Sequence, residues 1–379
     1  MNLFKASSWW KFALAALWMT AGVPGLAADA SVPVMRTPLA PGLYELAYSE
    51  RQDALYVASA GDRGAGAQPS RILKLHPGTL AVQAEIVLAH GGYGLALDDA
   101  AQRLYVGHAM DAGITVIDLA TDRVAGVVQL AQKVRAPGFD GQPAERYPHS
   151  LRELVVDPAR HRLYAPGAWF TDSALYVVDT QRLQVEKVLP GFGFLATGIA
   201  LDAQRAQVWV SNLQGQLFRV DARSLAVTRL QAGGDQLLNL ALDPATHEVW
   251  ATDQGLPMVD GLRREQGGLT DYVRRGDGNR VVVLDPDSGR LRASLPTQPG
   301  PVALLLDARR ERLYVTQREA GTLAIFDSRT SALLHTIELP AHPNSLALDA
   351  KRNVLYVSIK NAAGGDKGAA ESVARIALP

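Results

Sequence analysis

The sequence predicts an all-β chain: a seven-bladed β-propeller whose last blade is closed by the N-terminal strand. Three observations lead there. A short phrase recurs seven times at about 50-residue spacing, each copy divides into short apolar runs, and the C-terminal copy lacks a strand that the N-terminus can supply. A helical solenoid would instead show a 3.6-residue apolar period, which the chain lacks.

The first phrase is a small or apolar run ending in Leu-Asp, with an aromatic seven residues later. It reads Leu97-Asp98 with Tyr105, Val156-Asp157 with Tyr164, Leu201-Asp202 with Trp209 and Leu242-Asp243 with Trp250. It continues with Leu306-Asp307 and Tyr314, then Leu348-Asp349 and Tyr356; Tyr48-Ser49 with Tyr56 is the irregular first copy. A second phrase follows the first six aromatics, an alternating run ending in Asp118, Asp179, Asp221, Asp285 or Asp327, and in His76 in copy one. Each copy therefore reads as four short strands, a to d, bounded by turn residues. Four antiparallel strands per 40–50 residues is a propeller blade. The repeated Asp residues are expected to cap tight turns through backbone N–H groups rather than to hold metal or do catalysis. Copy seven supplies a, b and, in Ser372–Ala377, c; the segment Val32–Leu39 is the expected fourth strand, which limits exposed edges.

Two spacings are stretched, giving insertions at about Arg135–Leu151, between d and a, and Gln254–Asn279, between b and c. Long loops of this kind tend to be functional.

Ahead of the repeats lies a leader, residues 1–30. Lys5 and Lys11 precede the apolar run Phe12–Met19, and small residues suit cleavage after Ala27 or Ala30. The run is short for a membrane span, so export to the periplasm as a Sec-type cargo is the expectation, with no membrane span after signal removal.

Composition narrows the chemistry. Lys plus Arg and Asp plus Glu both number 38, so net charge draws in neither nucleic acid nor an anionic surface. With no Cys, disulfides, thiolate catalysis, iron–sulfur clusters and Cys-based zinc sites are excluded. There is no Walker loop, no GxSxG and no strand–helix GxGxxG. No catalytic residue and no cofactor is therefore expected. Glu45, Glu153 and Asp253 remain conceivable acids or bases near the channel.

Several stretches carry a resemblance. Leu313-Tyr-Val-Thr316 and Leu355-Tyr-Val-Ser358 resemble the YVTN-type repeat. Gly42–Ser49, Arg152–Val155, Thr197–Asp202, Tyr314–Gly321, His342–Leu348 and Arg375–Pro379 together resemble the YncE family of exported seven-bladed propellers. That resemblance covers essentially the whole mature chain. It implies a periplasmic location and single-stranded DNA binding without catalysis.

Repeat offsets locate a mouth. Three positions after the strand-b aromatics lie His108, Asn212, Asp253 and Gln317, with Arg318 and Lys360 next in their copies. Strand-a starts bring Tyr44, Tyr93, Arg152 and Asn344. Trp169, with Phe170 beside it, is a stacking candidate, and His342 precedes the last strand a. These are the candidate ligand-binding residues, on loops of a rigid scaffold. The insertions add Arg135, Phe139, Arg146, Tyr147 and His149, then Arg263, Arg264, Tyr272, Arg274 and Arg275. Cations meeting phosphates beside rings stacking on bases is how proteins grip single strands. His108, His149 and His342 could ligate a divalent metal only if they converge. A small periplasmic ligand, an envelope protein partner in outer-membrane metal-chelate uptake, and a propeller hydrolase or lyase stay open as alternatives.

Overall fold

The computed structural model describes residues 32–62, 67–137, 142–366 and 368–379. The predicted leader and Phe139 lie outside the described residues. Seven sheets of four antiparallel strands follow one another along the chain, with a short two-stranded hairpin between the second and third. Blade 2 shows the pattern: Gly92–Asp98 (a), Arg103–His108 (b), Gly113–Asp118 (c) and Arg123–Gln129 (d). In blade 3, strand a is broken into Ser150–Leu151 and Val155–Asp157.

Closure follows the expected route. Val34–Ala40 pairs antiparallel with Glu371–Ala377, from Val34 opposite Ile376 to Ala40 opposite Glu371. The N-terminal segment is thus strand d of blade 7, beside His342–Asp349 and Val354–Lys360.

The repeated Asp residues form turns. Asp98 accepts from the Ala101 N–H at 2.9 Å and Asp202 from the Arg205 N–H at 2.9 Å. Between strands c and d, Asp118 accepts from Ala120 and Thr121, and Asp221 from Arg223 and Ser224. The irregular first copy does the same job at both of its turns with other atoms: Ser49 Oγ accepts from Gln52 N–H, and His76 Nδ1 from Gly78 and Thr79. Four residues after each strand-a Asp, or Ser49 in the first copy, the chain enters the left-handed region, from Asp53 (φ 45°) to Asn353 (φ 54°), and never at a glycine. The capped turn holds a side chain in a conformation that glycine normally takes.

The core is divided among the blade interfaces, one apolar cluster per neighbouring pair. The repeated aromatic explains why: Tyr105 packs with blade 3, Tyr164 with blade 4, Trp209 with blade 5, and Tyr356 with blade 1. Each ring contributes roughly 2–3 kcal/mol by burial.

The insertions are more ordered than loops. Val134–Pro137 pairs with Pro143–Arg146 as a hairpin. The second carries a helix, α1 (Pro257–Glu265), with Pro in its first turn, Asp260 near its N-terminus and Arg263 and Arg264 in its last turn. That placement suits the helix dipole. No helix among the described residues is long and apolar enough to cross a membrane.

Candidate functional site: the channel mouth and its off-axis pocket

Strand a lines the central channel, and a β-bulge aims its side chains there. In every blade the a–b pairing slips by one residue near the start of strand a: Leu43 faces Ser59 but Leu46 faces Val57, and Pro343 faces Ile359 but Leu346 faces Val357. The extra residue kinks the strand and re-aims its neighbours. Hydroxyls on strand b absorb the disturbed backbone. Thr252 Oγ1 accepts the Asn239 N–H and donates to Val302 O of the next blade at 2.9 Å. Thr316 Oγ1 likewise accepts from Ala303 N–H and donates to Asn344 O at 3.0 Å.

The bulges bring Tyr44, Glu45, Tyr93, Arg152, Glu153, Asn239, Val302 and Asn344 around one constriction. Its remaining void is about 10 Å³, room for one water at most. Two carboxyl groups from non-adjacent blades meet here. Glu45 accepts from Ser345 Oγ at 2.9 Å, and Glu153 accepts from Asn239 Nδ2 at 3.0 Å. Both residues are half-buried. Burial, then the like charge of Glu153, holds Glu45 well above the usual carboxylate range. Burial raises Glu153 to about 7, against the pull of Arg152. Two carboxyls this close titrate as a pair rather than independently.

Beside the constriction, off the axis, lies a cavity of about 320 Å³. Its floor is Leu195, Leu213, Leu238 and Leu262, and its wall is Tyr147, His149, Trp169 and Phe170. Arg146 and Arg152 stand at the rim. The Arg146 guanidinium lies 4.9 Å from the Trp169 ring centre, and Lys133 Nζ 5.3 Å from that of Tyr147. His149 meets Trp169 edge-on and bonds Tyr176 OH through Nδ1.

The second insertion spends Arg263, Arg274 and Arg275 internally, while Arg264 is exposed. Arg263 is 1% exposed; it pairs with Asp235 at 3.1 Å and Asp260 at 3.0 Å and donates to Leu213 O. Its guanidinium lies 4.2 Å from the Tyr272 ring centre. Arg275 bonds Tyr272 OH and Gln214 O, and Arg274 pairs with Asp260. α1 is thereby clamped over the mouth, and its apolar face adds Leu262 to the pocket floor.

A relative in Salmonella typhimurium strain LT2, "Uncharacterized protein YncE", is 28% identical over 300 residues, spanning 78% of this chain and 76% of the relative. The YncE protein of Escherichia coli K12 is 28% identical over 325 residues, 79% of this chain and 89% of its own. The chain is a homologue of the YncE proteins. The names of these relatives assign no activity. No family model matches the sequence. Among solved structures, Kuenenia stuttgartiensis hydrazine synthase aligns with a TM-score of 0.64 at 14% identity, covering 89% of this chain and 96% of that one. The Myceliophteria thermophila Cps50 (Swd1) β-propeller domain aligns at 0.62 with 12% identity, covering 92% and 100%. These likenesses show the fold alone.

Within this YncE homologue the sequence-derived mouth residues divide into two groups. Tyr44, Tyr93, Arg152 and Asn344 line the constriction, and Trp169 the pocket. Arg318 reaches Asn344 Oδ1 at 3.5 Å, and Lys360 pairs with Glu371 at 2.9 Å with its ammonium 3.9 Å from the Tyr44 ring centre. His342 is half-buried at a strand-a start. His108, Asn212, Asp253 and Gln317 are not brought to the lumen. All four are buried and tie down their own b–c loops, through Thr115, Gln216, Arg280 and Thr322 respectively. Strand b is second from the axis, so its end points between blades. Burial, and then His90, lowers His108 to about 4, which keeps it neutral. Among the described residues no group of three or more His, Cys, Asp or Glu could hold a metal. Sequence reasoning set Glu45 and Glu153 apart as possible acids but missed that they pair, and it missed Asn239 and Ser345. All four sit one position after the strand-a starts, so the same repeat offset, advanced by one, finds them.

Proposed function

We propose that this YncE homologue is an exported, non-catalytic binding protein of the periplasm that holds single-stranded DNA at the pocket beside its channel mouth. The observation that carries the reading is the pocket itself: a leucine floor, a wall of Trp169, Phe170 and Tyr147, and Arg146 and Arg152 at the rim. An unstacked base has a flat apolar face and trails an anionic phosphate, which matches such a wall and rim. Lys133, exposed at the hairpin, extends the cationic edge. The leader, with Lys5, Lys11 and the apolar run after them, supports export.

Fluorescence anisotropy with a labelled oligothymidine tests it. Three or four phosphate contacts predict a log–log salt slope of roughly −2 to −3. Trp169→Ala should weaken binding about ten- to a hundredfold, since stacking contributes roughly 1–3 kcal/mol per base. Salt-independent binding, or full affinity in Trp169→Ala combined with Arg152→Ala, would refute the reading.

A further inference from the structure

The carboxyl pair in the constriction has no part in binding as described so far, yet Arg152 belongs to both places. It lines the constriction with Glu45 and Glu153 and also the rim of the aromatic pocket. Its side chain is exposed, and among the described residues it makes no hydrogen bond or ion pair. A cation that already acts on both carboxyls from a distance, with no ion pair to fix it, can be moved by changing their charge.

We propose that Glu45 and Glu153 form a proton-controlled latch on Arg152: with the pair protonated the guanidinium is left to an anionic ligand in the mouth pocket, and with the pair ionised it is drawn onto the carboxylates and ligand affinity falls. This rests on the binding reading above for its ligand arm only.

The surroundings leave the pair little other recourse. Blade 1 offers Tyr44, blade 2 Tyr93 followed by Gly94, and blade 3 Arg152 itself. A side chain at position 94 could not be accommodated, because its Cβ would collide with the Arg152 carbonyl. Blades 5 and 7 offer the neutral donors Asn239 and Ser345, each already used once, and blades 4 and 6 offer Thr197, bonded to Leu238 O, and the apolar Val302. The other nearby cations are engaged: Lys360 by Glu371, and Arg318 with Asn344 and Glu319. A second negative charge on the pair therefore finds Arg152 as its available counter-ion. The constriction itself holds one water at most, too little to solvate that charge where the two carboxyls meet. Burial places the titration of Glu153 near neutral pH, inside the range the envelope experiences.

Two measurements test the latch. Labelled oligothymidine is titrated at constant ionic strength from pH 5.5 to 8.5. Affinity should fall about tenfold across neutrality in the wild type, within the usual size of coupling between sites, and should stay flat in Glu153→Gln. An equal slope in both proteins overturns the proposal. In the second, the side-chain Nε–H resonance of Arg152, assigned through Arg152→Lys, is followed by NMR against pH without ligand. It should shift with a midpoint near neutrality in the wild type and not in Glu153→Gln. A resonance indifferent to pH also overturns the latch. If the resonance moves but no oligothymidine binds at any pH, the latch stands and the single-strand reading fails.

Discussion

Arg263 gives the sharpest contrast between a ligand-binding arginine and a structural one. In sequence it belongs to a run of cations suited to phosphate; in the fold it is buried against the equally buried Asp235. Arg263→Met removes two carboxylate contacts and leaves the Leu213 carbonyl without its donor. Breaking a buried pair from one side costs about 3–5 kcal/mol because the remaining charge is stranded. Here Asp235 keeps the Tyr272 hydroxyl and has Arg275 at 3.8 Å, so the lower end, about 3 kcal/mol, is expected. The loss should be local. Hydrogen exchange should quicken in α1 and around residues 235–236, while the strand-b amides of blades 1 and 7 keep their protection. Urea unfolding should register the cost only up to the point where α1 opens separately. Arg263→Met with Asp235→Leu should recover much of it, because an apolar pair replaces the stranded charge. If Arg263→Met instead leaves stability within about 0.5 kcal/mol and abolishes oligothymidine binding, Arg263 is a ligand group and this reasoning is wrong.

Three further outcomes are expected. Glu153 holds its proton in the fold up to about 7 but loses it near 4.5 when unfolded, so the fold binds more protons between those values and stability falls as pH rises through them. Glu153→Gln should flatten that fall by roughly 3 kcal/mol, read from urea midpoints at pH 5 and pH 8; parallel curves for both proteins would contradict it. Asp98→Ala should cost about 1 kcal/mol by losing the Ala101 N–H bond, whereas Asp98→Asn, which keeps an acceptor, should be nearly neutral in thermal melts; equal losses would point to charge rather than turn capping. Removing residues 32–40 should expose the Glu371–Ala377 edge and drive self-association visible by size-exclusion chromatography, reversed by a peptide of that segment added in trans; a stable monomer would mean the clasp is dispensable.

Tyr105, Trp209 and their equivalents were legible as a seven-residue offset from an Asp because each ring must fill the same wedge against the next blade. The turn-forming role of Asp98, Asp118 and their repeats was legible for the same reason: a local carboxylate-to-amide bond needs only neighbours in the chain. Even the N-terminal clasp could be read, as one strand missing and one spare. The repeat was less informative at the mouth. His108, Asn212, Asp253 and Gln317 share one repeat offset, and the radial position of strand b turns all four into the blade. Arg263 reads like its neighbours until α1 folds and Asp235, 28 residues away, claims it.

The sequence by itself determined the architecture, because turns, strand alternation and the inter-blade aromatic are local or periodic demands met anew in every copy. Only the tertiary structure decided which charges face the lumen. Whether a carboxylate keeps its proton or an arginine is at liberty depends on what lies across the channel, and Glu45 and Glu153 are 108 residues apart in the chain but meet in a space of about 10 Å³.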